Sequence, residues 1–126
     1  MKLVSESIRD YLKPKSKEQI LKDIELLSQE RRDEELIKQS GKGNKEVVEM
    51  LLDAGADPSV QDELGNTASV LASENGHKEV VEMLLNVGVD PNVQDKYGET
   101  ALMLALANGH KEIVNLLKKY GAKNKV

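Results

Sequence analysis

Residues 43–75 and 76–108 are nearly one segment written twice, and a third copy opens at Gly109. The period is 33 residues: Gly43, Gly76 and Gly109 each begin a Gly-(Asn/His)-Lys-Glu-(Val/Ile)-Val run, and the two full copies agree at 21 of 33 positions. A fixed period of this size marks a stacked array, in which each unit leaves an apolar face that only its neighbours can bury. Such a chain is expected to present a surface rather than to gather groups for a reaction.

The second copy shows the unit most plainly. In Lys78-Glu79-Val80-Val81-Glu82-Met83-Leu84-Leu85, the residues Val80, Val81, Leu84 and Leu85 fall at helical spacing, with Lys78, Glu79 and Glu82 opposite. Lys78 and Glu82 stand at i,i+4 and are expected to pair. Gly88 sits where a left-handed C-terminal residue is wanted. The stretch Val89 to Gly98, dense in Asp, Asn, Pro and Gly, predicts a turn-rich loop. Thr100 then opens the short apolar helix Ala101 to Ala107, closed by Asn108-Gly109. Each unit thus comprises a loop, a buried inner helix and an amphipathic outer helix. In the preceding copy these are Asp57 to Gly65, Thr67 to Ser73 and His77 to Val87. Upstream, Leu36 to Gly41 serves as a degenerate inner helix paired with an outer helix from Asn44 to Ala54. Three pairs are about the minimum for a stable stack.

The apolar residues are Leu, Val, Ile, Ala and Met, with three Tyr and no Phe or Trp. Without large aromatics the core must be thin, which suits closely spaced helices better than a wide sandwich. The chain has no Cys, so disulfides and thiolate metal sites are excluded and an intracellular setting is the default. No apolar run approaches the roughly 20 residues of a membrane span, and Met1-Lys2-Leu3 opens no visible signal peptide. The expectation is a soluble cytoplasmic protein. Residues 1–32 hold eight Lys/Arg against six Asp/Glu, a balance of +2, whereas residues 33–126 hold ten against sixteen, a balance of −6. An acidic array argues against nucleic acid, whose phosphates demand clustered cations, and weakly favours a basic or neutral partner surface.

Residues 1–32 do not repeat and are read as an N-terminal helical capping segment. Ser16-Lys17-Glu18-Gln19 has the capping-box pattern, followed by Ile20, Leu21, Ile24 and Leu27 at helical spacing. Val4, Ile8 and Leu12 fit one face of a short helix ending near Lys13, before Pro14. A cap that covers the end of the stack is one role, and a separate partner-docking helix is the other. The repeat domain is placed at 33–126, with units at about 33–61, 62–94 and 95–126.

The run Gly76-His77-Lys78-Glu79-Val80-Val81-Glu82-Met83-Leu84-Leu85, followed by Gly88, Asp90-Pro91-Asn92-Val93-Gln94-Asp95, Gly98 and Thr100-Ala101, resembles the ankyrin repeat in period and in nearly every signature position. The resemblance implies an all-α solenoid of stacked helix–loop–helix units. It also implies hairpin-like loops set at a right angle to the helices, and a concave face of loop tips and inner helices that binds proteins. The chain departs from the family where Thr-Pro-Leu-His is usual, having Thr67-Ala68-Ser69-Val70 and Thr100-Ala101-Leu102-Met103. Ser69 stands where a core Leu is expected and Gln39 where a small Ala is expected, so the fold should survive with less margin. Near-identity of the two copies suits a recent duplication and a consensus-style scaffold equally.

Candidates for chemistry are few. His77 and His110 lie one period apart, on helices expected about 8–10 Å from each other, too far for two ligands each about 2 Å from one zinc. A structural role near the start of each outer helix is expected. Asp62 and Asp95 form a carboxylate pair, and some glycosidases hold carboxyls roughly 6.5–9.5 Å apart. Both, however, stand where the loop needs local hydrogen bonds, and no pocket is implied. Gly41-Lys42-Gly43 follows a helix and is read as a loop, not a phosphate cradle. No catalytic, cofactor-binding or metal-ligating residue is assigned.

By family position, the residues placed to touch a partner are Glu63, Leu64, Asn66 and Glu74 in one unit, and Lys96, Tyr97, Glu99 and Ala107 in the next. Tyr97 fits a binding hot spot, having a rigid apolar body and a polar tip, or else lies over its own repeat. Leu64 is its equivalent, so the two form an apolar ridge that Leu106 and Ser73 extend along the inner helices. The function expected is a monomeric, non-catalytic module that binds another protein, without nucleic acid, membrane or cofactor. The alternative is a structural or self-associating repeat protein, or a scaffold without a natural ligand. Against open-ended stacking, Lys111, Asn115, Lys118, Lys119, Lys123 and Lys125 make the last outer helix and tail polar and basic.

Overall fold

The computed structural model describes residues 14–123, so the short helix expected around Val4, Ile8 and Leu12 lies outside the described residues, as does Lys125. Seven helices follow: α1 Lys17–Leu26, α2 Gln29–Lys42, α3 Lys45–Asp53, α4 Ala68–Glu74, α5 Lys78–Asn86, α6 Ala101–Ala107 and α7 Lys111–Lys119. There is no strand among the described residues. Helices α2, α4 and α6 pack in series as an inner layer; α3, α5 and α7 form the outer layer, and α1 packs on α3. Each inner helix also packs on the outer helix that follows it.

The apolar pattern explains both layers. Helix α5 buries Val80, Val81, Leu84 and Leu85 and leaves Lys78, Glu79 and Glu82 in solvent. Helix α3 buries Val48, Met50 and Leu51, and α7 buries Ile113, Val114 and Leu117. The inner helices α4 and α6 begin where Thr67 and Thr100 cap them, their Oγ1 atoms accepting from Val70 N at 3.2 Å and Met103 N at 3.3 Å. These caps start the helices although the proline usual at the next position is absent. Ser69 is buried like the core Leu it replaces, with its Oγ 3.1 Å from Thr67 Oγ1. Gln39 is half-buried, and its amide donates to Glu35 at 2.7 Å. The buried apolar cluster is aliphatic throughout.

The first unit departs from the period. Instead of opening at Leu36, α2 starts at Gln29, where Ser28 Oγ accepts from Arg31 N at 3.2 Å. Residue 32 therefore falls inside this helix. Ala68 corresponds to Glu35 one period earlier, so residues 29–34 form a helical extension where the next units carry a hairpin loop. Gly41 and Lys42 also belong to α2, and only Gly43 leaves it, so the loop expected at Gly41-Lys42-Gly43 is the end of a helix. At Ser16 half a capping box forms: Ser16 Oγ accepts from Gln19 N at 3.1 Å, while the Gln19 amide donates to Asp23 at 3.0 Å.

Three sets of contacts tie one unit to the next. Arg32 donates to Ile24 O at 3.2 Å, Glu25 O at 3.0 Å and Ala54 O at 2.9 Å, joining α2 to the C-terminal ends of α1 and α3. A guanidinium there satisfies orphan carbonyls and opposes the negative ends of two helices. Nearby, Asp33 is buried and accepts from Gln29 Nε2 at 2.8 Å and Asp57 N at 2.7 Å. Next, His77 Nε2–H donates to Gly41 O and His110 Nε2–H to Glu74 O, both at 3.0 Å, across the seam between outer and preceding inner helices. Each ring rests against a glycine: a Cβ on Gly43 would collide with His77, and one on Gly76 would meet His110 at 2.7 Å. Those glycines also hold φ of 78° and 82°, which other residues rarely adopt. Finally, Lys45 pairs with Glu79 at 3.0 Å and Lys78 with Glu112 at 3.5 Å. Lys78 thus bridges to the next outer helix rather than to Glu82. Both pairs are exposed and add little to stability.

Arg32→Ala should lower the unfolding free energy by about 1.5–3 kcal/mol, because three carbonyls lose one charged donor. Urea denaturation followed by circular dichroism measures this, and an unchanged midpoint would show that the carbonyls are satisfied by water.

Candidate functional site

The loops before α4 and α6 are built alike. Asp62 Oδ1 accepts from Leu64 N and Asn66 N, both at 2.9 Å, and Asp95 Oδ1 from Tyr97 N and Glu99 N, both at 2.8 Å. The two aspartates are thus occupied in folding their own loops. The loops are also joined to each other. Lys96 N–H donates to Leu64 O at 2.8 Å, and Gln61 Nε2–H donates to Gln94 O at 3.0 Å. Close approach requires glycine at residue 65, where a Cβ would lie 2.7 Å from Lys96 N. The loop tips therefore form one braced edge.

This edge and the inner helices carry the expected partner-binding residues. Leu64 is 46% exposed and Tyr97 69%, so Tyr97 projects from its loop and does not lie over its own repeat. Glu63, Lys96 and Ala107 are exposed, and Asn66, Glu74 and Glu99 half-buried. Leu106 is 47% exposed. Ser73 does not extend the ridge: it is fully buried, and its Oγ, like that of Ser40 one period earlier, has no hydrogen-bond partner among the described residues. The reason is position in the stack. Ser73 lies on an inner helix that has another packed beyond it, whereas Leu106, its equivalent, lies on the last one.

Charge gathers on the same face. The Glu99 carboxyl is held above its usual range by partial burial, by the charge of Asp95 and the hydrogen bond to it, and by Glu74. A second acidic region was missed in the sequence. Between the N-terminal extension of α2 and the first hairpin loop lies a groove of about 610 Å³. Glu30 and Glu34 line it from α2 and Glu63 from the loop, with Lys38 as the cation among its lining residues. The available signal was Ser28-Gln29-Glu30, a capped and acidic helix start ahead of Leu36.

A family model for ankyrin repeats in three copies matches residues 36–126. The chain belongs to the ankyrin repeat family. Comparison with curated protein sequences gives no match. Ankyrin repeats are in general protein–protein interaction modules, and the family is typically non-catalytic. No helix among the described residues is long and apolar enough to cross a membrane.

The raised Glu99 has a consequence for pH. Folding favours its neutral form, so its stabilising contribution is complete below the ordinary value of 4.5 and is lost as pH rises through the folded value. Glu99→Gln should therefore raise the melting temperature at pH 7, and the gain should vanish below pH 4.5. A lower melting temperature at pH 7 would mean that the Glu99 charge has a favourable partner.

Proposed function

We propose that the chain is a monomeric, non-catalytic binding module that recognises another protein through the face formed by its loop tips and inner helices. The observation that carries this is the pair Leu64 and Tyr97, both exposed on loops braced by the Lys96–Leu64 hydrogen bond. Exposed apolar side chains on a rigid edge lose little freedom on binding, which is the condition for a hot spot. Glu63, Glu74 and Glu99 flank them and favour a basic or neutral partner surface, with Lys96 the opposing charge. Asn66, Leu106 and Ala107 complete the contact set. Residues 14–32 act as the cap: α1 shields α3 through the buried Ile24, and Arg32 fastens the junction.

Self-association is a second reading with its own observation. Met103 is 43% exposed and Leu106 47% on α6, whereas Val70, one period before Met103, is 1% exposed. The stack thus ends in an apolar inner-helix flank. The neighbouring outer helix ends in Lys118 and Lys119, which oppose the approach of a second identical end.

Tyr97→Ala should leave helicity unchanged and weaken capture of a cognate partner by about 1 kcal/mol or more. Affinity capture from a cell extract, quantified side by side for the two proteins, measures this. Equal capture by both would remove Tyr97 from the contact set.

A further inference from the structure

Resting on the reading of this face as a binding surface, we propose that the groove beside α2 takes an extended partner segment carrying Lys or Arg on either side of an aliphatic residue. Three independent features of the groove define this occupant: an unpaired backbone edge, an apolar floor and acidic walls.

The edge comes first. Along the loop layer, Lys96 N–H finds Leu64 O, and Gln94 O receives the Gln61 amide. One period earlier the equivalents are Glu63 N–H and Gln61 O, and neither has a hydrogen-bond partner among the described residues. They lack one because residues 29–34 are helical and have no loop edge to offer. The helical extension is joined to the base of the loop, through Asp33 to Asp57 N and Gln29 to Gly55 O, but not to its tip. A donor and an acceptor are therefore left along an open edge, the arrangement an extended chain completes by main-chain pairing.

The floor and walls then choose the side chains. Ile37, Val60 and Leu71 supply apolar surface at the base of the groove. Ile37 is buried and the other two half-buried, so an aliphatic side chain fits better than a polar one. Glu34 lines the groove from α2 and Glu63 from the loop, and both are exposed. Asp33 and Asp62 also line the groove, but their carboxylates are engaged by backbone N–H groups. The free charges are thus glutamates on long side chains, with Lys38 their sole cationic neighbour in the lining. In an extended segment the residues flanking the aliphatic one point away from the floor, where long cationic side chains reach the exposed glutamates, and an acidic segment would be repelled.

The test is a titration of the isotope-labelled full chain, followed by backbone amide resonances, with two blocked peptides of alternating sequence, one Arg-Val-Arg-Val-Arg and one Glu-Val-Glu-Val-Glu. The arginine peptide should give saturable shifts at Ile37, Val60, Glu63 and Leu71, and the glutamate peptide none. The double variant Glu34→Lys, Glu63→Lys should melt like the parent, since both side chains are exposed, and bind the arginine peptide about tenfold more weakly. Equal affinity for the variant, or equal binding of both peptides, would overturn the proposal. Saturable shifts confined to Leu64, Tyr97 and Leu106 would overturn it while leaving the broader face as a binding surface. The absence of any saturable shift would overturn the groove alone, because the capture experiment on Tyr97 judges the module independently.

Discussion

An inner helix in this stack is covered on two flanks, and losing one flank shows at once in exposure. Val70 is nearly inaccessible with α6 packed beyond α4, whereas Met103, one period later, is 43% exposed. This dependence on the next unit organises the molecule. A seven-residue helix such as α4 is too short to persist alone in water, since helices under about 12–15 residues are marginal without tertiary packing. Its threonine cap and apolar face yield stability only when neighbours cover it. Stability in such an array is close to a sum of unit and interface contributions, so the contacts between units matter more than any within one.

Those contacts also shape the proposed binding face. The histidine ring on each outer helix reaches back to a carbonyl of the preceding unit, and the Asp-built loops are joined by Lys96 N–H and the Gln61 amide. The hydrogen bonds that hold the stack in register thus hold Leu64 and Tyr97 at a fixed separation. The spare valence of the same system lies at its first loop, where a helix stands in place of a preceding hairpin. The edge left open there is a consequence of α2 carrying a helical extension where the next units carry a hairpin loop.

What the sequence revealed and what it hid divide along local and non-local lines. Thr100 as the opening of an inner helix, Asp62 and Asp95 as loop organisers, and Val80, Val81, Leu84 and Leu85 as a buried face depend on neighbours within a few positions, and all were legible; Thr67, read as the first helical residue, is instead the cap. The tasks of His77 and His110 were not, because each meets a carbonyl 36 residues away. Lys78 had two carboxylates to choose from, and spacing along one helix pointed to Glu82 while packing between helices selected Glu112. Ser73 looked like surface because its equivalent, Leu106, is surface; the period equates residues whose coverage differs with their place in the array. The length of α2 was hidden for a related reason. The extension from Gln29 lies where the period stops, so no second copy was present to show what is normal there.

Amide hydrogen exchange tests the central claim most directly, because two equivalent loop N–H groups differ only in whether a preceding loop exists to receive them. The account predicts strong protection for Lys96 N–H, which donates to Leu64 O at 2.8 Å, and exchange near the unprotected rate for Glu63 N–H. Equal protection at the two amides would contradict both the braced loop edge and the open one beside α2.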